Sequence, residues 1–249
     1  MVTKVFRRLG RINLAVEPTL RYIWVLLRAA YFIRLRRRLR TLDSGKAVKA
    51  TLAHNLRHLY WSNERMNLLL FPLAVIETLR RDARILVVGP RNENDLYTLA
   101  GLGFRFENLV GLDLISYSPR IHLGDMHAIP FPDGSFDSVV CGWTLSYSTD
   151  PQRAANELAR VTKPGGIVAI GVEYSTLTPD DERKLAGYTL QDPEQAGRRV
   201  NSTADLKALF RPHIGTVFFE HDAPGRRTHT AAAIKSDVSN VAVVFSLAS

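Results

Sequence analysis

Short apolar runs recur through the middle of this chain, and most of them end on a glycine or an acid. Ile85-Leu86-Val87-Val88 runs into Gly89, and Leu109-Val110-Gly111-Leu112 into Asp113. Ile121-His122-Leu123-Gly124 runs into Asp125. Ser138-Val139-Val140-Cys141 follows, and then the apolar run 167–172. Runs this short, bounded by turn-forming residues, predict strands. Between the first two, residues 94–103 predict a helix, with Gly101 and Gly103 at its end. Strand, glycine turn, helix, strand, acid is the order of a βαβ unit that binds an adenosine-containing ligand.

The N-terminal pattern is different. Leu20, Trp24, Leu27, Tyr31 and Leu35 recur at three- and four-residue steps, which predicts a helix over residues 19–40 with these side chains on one face. Arg21 and Arg28 share another face, and Arg36-Arg37-Arg38 closes the segment. The apolar stretch 22–33 is interrupted by Arg28 and falls short of the ~18–20 residues that a spanning helix needs. Two readings stay open. The helix lies on an anionic membrane surface, or its apolar face packs on the body of the protein with the arginines solvated. Arginine clusters also neutralise nucleic-acid phosphates, but no recognisable nucleic-acid module accompanies this one, so nucleic acid is not an expected partner.

Charge sharpens this division. Residues 1–40 hold eleven Lys/Arg and one acid, whereas the chain as a whole is only +9. The basic character therefore belongs to a helical arm, residues 1–40. A helical connector or cap follows over 41–83, with a kink or break expected at Pro72. The catalytic domain is expected over 84–249. The one cysteine, Cys141, sits in an apolar strand and reads as a buried thiol. It excludes an internal disulfide and fits a cytoplasmic protein, peripheral on the inner face of a membrane if the arm binds lipid. No Cys/His cluster has zinc spacing, so no metal is expected.

Within the core, Gly89 opens the turn at the start of the first helix, where unpaired N–H groups favour an anionic ligand group. Asp113 is placed to accept hydrogen bonds from two ribose hydroxyls. Leu114 packs on an adenine or in the core. Asp125 and Met126 stand where the adenine would lie, the carboxylate for its amino group and the thioether over its ring.

The run from Gly124 to Asp137, GDMHAIPFPDGSFD, and the later run from Glu157 to Gly166, ELARVTKPGG, together resemble the class I S-adenosylmethionine-dependent methyltransferases, and within them the type 11 small-molecule group. The resembling region, residues 84–174, is about a third of the chain. The resemblance implies an α/β fold: a Rossmann-like, seven-stranded, mostly parallel sheet whose last strand is antiparallel, here preceded by the basic helical arm. Residues 200–209 then read as the last helix, 214–220 as strand six and 238–247 as strand seven. The implied cofactor is S-adenosyl-L-methionine and the implied partner a small-molecule acceptor.

Three departures from the family pattern matter. Arg91 and Glu93 stand where the second and third glycines of the loop would be. Arg91 either blocks the methionine carboxylate or, the favoured reading, pairs with it. Glu93 contacts the cofactor amine or favours the helix N-terminus. Second, of the eleven residues between Asp113 and Asp125, Arg120 to Gly124 belong to strand three, and the six left, Leu114 to Pro119, are too few for a crossover that usually takes about ten or more, so the second helix is lost. Third, Tyr147 occupies the place of a histidine common in the family.

Candidate bases for the acceptor's proton are His127, Glu173 and His221, each at the carboxyl end of a strand or just beyond the adenine position. Trp143, Tyr147 and Tyr174 stack on an acceptor ring or pack. The reading is a methyltransferase acting on a small molecule, by O-methylation of a sugar, glycan precursor or lipid-linked acceptor. Its alternatives are methylation of an isoprenoid quinone or lipid ring, and a non-catalytic binding protein on the same fold. Dehydrogenase activity is not expected, because the glycine triplet of a dinucleotide site is missing.

Overall fold

The computed structural model describes residues 18–42, 52–53, 55–60, 64–175, 178, 180–181, 184, 199–222 and 240–248. Residues 1–17 of the arm, His54 and Trp61 of the connector, and the first two residues of the expected strand seven lie outside the described residues.

The elements in chain order are α1 (Pro18–Ala30), β1 (Arg40–Thr41), α2 (Asn67–Leu73), β2 (Ile85–Val88), α3 (Asn94–Gly101), β3 (Leu109–Asp113), β4 (Ile115–Ser116), β5 (Ile121–Leu123), β6 (Phe136–Gly142), α4 (Pro151–Val161), β7 (Thr162–Glu173), α5 (Thr203–Leu209), β8 (Ile214–His221) and β9 (Asn240–Leu247). Seven strands form one sheet in the order β5-β3-β2-β6-β7-β9-β8. The first five are parallel, and β9 runs antiparallel to both β7 and β8. This is the Rossmann-like arrangement expected, with its reversed last strand.

Two-residue periodicity splits the strand side chains between two cores. Leu86, Val88, Val139, Cys141, Val168, Ile170, Val243 and Phe245 join α4 and α5 on one face. Ile85, Val87, Val140, Ala169, Ala242 and Val244 join α2 and α3 on the other. Helix α4 starts cleanly because Asp150 accepts a hydrogen bond from the Arg153 N–H and Pro151 fills the first turn, where no donor is needed. Its Ala154, Ala155, Leu158 and Val161 face inward.

The connector contributes α2, whose Leu69, Leu70 and Leu73 are fully buried under the sheet. Pro72 lies in its last turn and the helix stops at Leu73, in line with the break expected there.

The arm departs from expectation in two ways. The helix gives way to a widened π-turn over Tyr31–Leu35, and residues 36–40 are not helical. Arg37 has a left-handed backbone (φ 49°), and Arg40–Thr41 pairs antiparallel with Ile115–Ser116. The six residues that replace the lost crossover helix thus offer a strand edge, and the arm takes it up.

The second departure is from one of the two readings left open, that in which the apolar face packs on the body of the protein. Arg21, Val25 and Ala29 are buried, while Leu20, Ile23, Leu27, Tyr31 and Leu35 are exposed. Arg21 Nε donates to Asn94 Oδ1 at 3.0 Å. Arg28 makes a two-pronged ion pair with the fully buried Glu93, at 2.6 and 3.0 Å. Trp24 is held by a hydrogen bond to Tyr97. The polar face, not the apolar one, is bolted to α3.

Candidate active site

A cavity of about 1210 Å³, open mouth included, lies beyond the carboxyl ends of β2, β3 and β6, where ligands of open α/β sheets sit. It is lined by Gly89, Arg91, Asp113, Leu114, Asp125, Met126 and His127. Six of the seven residues expected to bind the cofactor are therefore brought together, with one of the three candidate bases.

Gly89 has φ +72°, and a Cβ there would sit 1.9 Å from Thr144 Oγ1, so only glycine fits. Arg91 follows with φ +57°, a left-handed backbone unusual for arginine. Its N–H donates to Asp113 Oδ2 at 2.7 Å. Asp113 Oδ1 accepts the Ile115 N–H at 3.1 Å. Burial pushes Asp113 up to about 6, against the pull of those two N–H groups. Each carboxylate oxygen has further acceptor capacity toward the cavity. The Arg91 side chain reaches the connector through a long contact to the His58 carbonyl, and its buried Nε has no hydrogen-bond partner. A buried guanidinium N–H left unpaired is costly, and a carboxylate is the kind of group that satisfies it. Asp95, in the first turn of α3, also faces the cavity, and burial raises it to about 7.

The bond to His127 holds Asp125 below the usual carboxylate range. His127 Nδ1 lies 2.6 Å from Asp125 Oδ1, and Nε2 lies 2.7 Å from Ser148 Oγ. An ionised Asp125 only accepts, so the network assigns the proton to Nδ1 and leaves Nε2 to accept from Ser148. Both ring nitrogens are thereby engaged.

The other expectations need correction. Glu93 does not line the cavity: it is buried beneath Arg28 and contacts neither a ligand space nor its own helix's N–H groups. Glu173 is buried at the end of β7 and its carboxylate is taken by Arg65. It holds Arg65 at the cavity and does not face the cavity itself. His221 ends β8, which β7 and β9 separate from β6. At about 4.8 Å per strand, that removes it by roughly 14 Å. Trp143 and Tyr147 do line the cavity, while Tyr174 packs on the core.

Several lining residues went unnoticed in the sequence. Asn55, Arg65 and Met66 arrive from the connector, Asn92 and Thr144 from the turns after β2 and β6, and Asp95 from the first turn of α3. Met66 presses on Gly142 so closely that a Cβ there would lie 2.1 Å from its sulfur. Arg65 stands over the Trp143 ring, 5.3 Å from its centroid, and Trp143 itself has φ +57° with its indole N–H bonded to Asn240 Oδ1 at 2.6 Å. Arg91 and Trp143 thus both hold left-handed, non-glycine backbone at this end of the sheet, a strain that clusters at functional sites in proteins generally. Of these, only Asp95 carried a usable sign: an acid in the first turn of the helix that follows the glycine loop.

The segments 124–137 and 157–166 clasp each other. Arg160 donates to the carbonyls of Ile129 and Phe131 and to Asp133, and Glu157 accepts the Ile129 N–H. Lys163 pairs with Asp137. That clasp fixes the loop carrying Asp125, Met126 and His127. The type 11 methyltransferase family, described as a methyltransferase domain, matches residues 99–170, which include both segments. Over those residues the chain is similar to the class I S-adenosylmethionine-dependent methyltransferases.

Methyl donation in this family is from S-adenosylmethionine. This chain is 37% identical over 87 residues to a malonyl-[acyl-carrier protein] O-methyltransferase of Halorhodospira halophila, a match covering 35% of this chain and 28% of that one. It is 42% identical over 62 residues to a ubiquinone/menaquinone biosynthesis C-methyltransferase of Ruegeria sp., covering 25% and 24%. The chain thus spans only about a quarter of the length of these curated relatives. Among solved structures, a complex of the Haloferax volcanii Trm112 methyltransferase activator with a methyltransferase aligns at TM-score 0.50 and 16% identity, over 83% of this chain and 100% of that one. The [4+2]-cyclase SpnF aligns at 0.50 and 15%, over 83% and 97%. At such identities they show the fold alone, and a fold does not dictate chemistry.

Proposed function

We propose that this protein transfers a methyl group from S-adenosylmethionine to a small-molecule acceptor. The observation that carries the proposal is one cavity gathering Gly89, Asp113, Leu114, Asp125 and Met126 around an unsatisfied Arg91 Nε. The donor supplies a methyl carbon made electrophilic by its sulfonium. Arg91 holds the donor's carboxylate, Asp95 its ammonium, Asp113 the ribose, and Asp125 with Met126 the adenine. The chain's own task is then to hold the acceptor in line and dry, with Met66, Trp143 and Tyr147 as walls and Arg65 as the fixed cation.

For a hydroxyl acceptor, such as a sugar, glycan precursor or lipid-linked alcohol at the inner face of a membrane, a base is required. His127 is the candidate at the cavity. Its Nδ1–H is fixed by Asp125, and Ser148 relays the acceptor's proton to Nε2. The same geometry favours a second reading. Because Nε2 already holds Ser148, an acceptor that arrives as an anion fits better, and a phenolate activating its own ring carbon, as in a quinone precursor, needs no protein base.

Thermal-shift measurements with S-adenosylmethionine, its demethylated product and NAD test the donor. Ligand at about 100 times its dissociation constant adds roughly 2.7 kcal/mol, or about 5–10 °C here. A shift with the first two only, lost in Asp113→Ala, supports the reading, and no shift hands the lead to the non-catalytic alternative. Methyl transfer to quinone precursors but not to hydroxyl acceptors, unaffected by His127→Ala, selects the second reading.

A further inference from the structure

The arm helix is upside down for a helix that only needs to pack. Its leucines face solvent, with Leu27 60% and Leu35 72% exposed, and Leu20, Ile23 and Tyr31 beside them. An amphipathic helix docked on its own protein normally buries that face. Here it does not roll over, because Arg21 and Arg28 on the opposite side are spent on Asn94 and Glu93. Turning the helix inward would strip the fully buried Glu93 of its cation.

What surrounds the exposed stripe decides what covers it. Arg34, Arg36, Arg37, Arg38 and Arg40 are all exposed, and residues 18–42 contain no acid. We propose that this face is a docking surface for an anionic lipid bilayer, with Leu20, Ile23, Leu27, Tyr31 and Leu35 entering the acyl boundary and the arginine run lying against the headgroups. Apolar side chains at helical spacing with arginines flanking them are the combination that holds a helix in the interface plane, and each basic side chain near an anionic leaflet adds to the attraction. The α1 helix with its π-turn is eighteen residues, about 27 Å at helical rise. Among the described residues no helix is long and apolar enough to cross a membrane, so this one lies on the surface. A second copy of the chain is a poorer occupant, because it would bring a second arginine run to the same contact. The proposal concerns the arm alone and stands whether or not the methyl-transfer reading does.

Co-flotation of the full chain with vesicles tests it, using phosphatidylcholine alone and an equimolar mixture with phosphatidylglycerol. The wild type is expected to float with the mixed vesicles, to stay behind with the neutral ones, and to be released by salt. Replacing Arg34, Arg36, Arg37 and Arg38 by Gln lowers partitioning about fivefold for each arginine removed. Leu27→Gln/Leu35→Gln abolishes flotation while leaving thermal stability unchanged, because both side chains are solvent-facing in the free protein. The proposal is overturned if the wild type does not float, if it floats equally with neutral vesicles, or if the leucine variant floats as well as the wild type. Self-association in analytical ultracentrifugation that disappears in the leucine variant, without wild-type flotation, likewise overturns it and assigns the face to a second copy.

Discussion

Replacing Arg91 by glycine restores the loop pattern usual in the family and removes the side chain on which the donor site turns. The backbone there is left-handed, with φ +57°. Glycine relieves about 1–2 kcal/mol of steric cost but loses more entropy on folding, so stability should change by less than about 1 kcal/mol. The Arg91 N–H to Asp113, at 2.7 Å, survives because it is backbone. What is lost is the guanidinium whose buried Nε has no partner inside the protein. If that group binds the donor's carboxylate, its removal costs a charge-assisted hydrogen bond, about 1.5–3 kcal/mol, or roughly 10- to 150-fold in affinity. Calorimetric titration of wild type and Arg91→Gly with S-adenosylmethionine and its decarboxylated analogue reads this directly. The wild type should favour the intact donor by that factor, and the variant should bind both alike, at the level of the analogue. Equal or tighter binding of the intact donor by Arg91→Gly would refute the pairing and show that the arginine obstructs the cavity.

Three further outcomes follow from the geometry. Glu93→Gln leaves Arg28, a quarter exposed, without its anion; a loss of about 2–3 kcal/mol, below the range for fully buried pairs, should appear in urea denaturation, and Arg28→Met in that background should recover part of it. Folded pKa values near 6 for Asp113 and near 7 for Asp95 lie above their unfolded values, so the apo protein gains protons on folding and loses stability as pH rises from about 4 to 7, by about 3 kcal/mol for Asp113. A donor whose ribose needs the ionised Asp113 binds more tightly over the same rise, and a pH-independent affinity, or one unchanged by Asp113→Asn, contradicts that role. Arg160→Ala removes the clasp on Ile129, Phe131 and Asp133; it should cost about 1.5–3 kcal/mol in denaturation and weaken donor binding through the displaced 125–127 loop.

The sheet was legible because its strands are short apolar runs between turn residues, and the missing crossover helix because the six residues left before strand three cannot hold a helical crossover. The partner of the replacement segment was not, since Arg40–Thr41 lies some 75 residues upstream and carries no strand pattern of its own. Periodicity grouped Leu20, Leu27, Tyr31 and Leu35 correctly but could not say which way they point. That depends on Arg28 meeting Glu93, 65 positions away. The same distance hid the role of Glu93, which local spacing offered to the cofactor amine or to the N-terminus of its own helix. Among the bases, position at a strand end picked out three residues equally. Only the strand order sets His221 aside, and only the Arg65 pair sets Glu173 aside.

This division has a consequence for how the acceptor should be sought. The segments that carry the family resemblance, 124–137 and 157–166, are held to each other by Arg160, Glu157 and Lys163, and their contribution to the cavity is Gly124, Asp125, Met126 and His127 on the proposed donor side. Away from the proposed donor side, the walls include Asn55, Arg65 and Met66 from the connector, and Trp143, Tyr147 and Thr149 beyond β6. These lie outside the two resembling segments, and three lie outside the family match altogether. Relatives that share the segments therefore share the reason to bind the donor and have no physical reason to share the acceptor. Among the described residues, Arg65, fixed by Glu173 and stacked on Trp143, is the one cation lining the proposed acceptor side. Exchanging it for methionine should raise KM for the acceptor while leaving donor affinity in place, and a change in donor affinity instead would move Arg65 into the donor site.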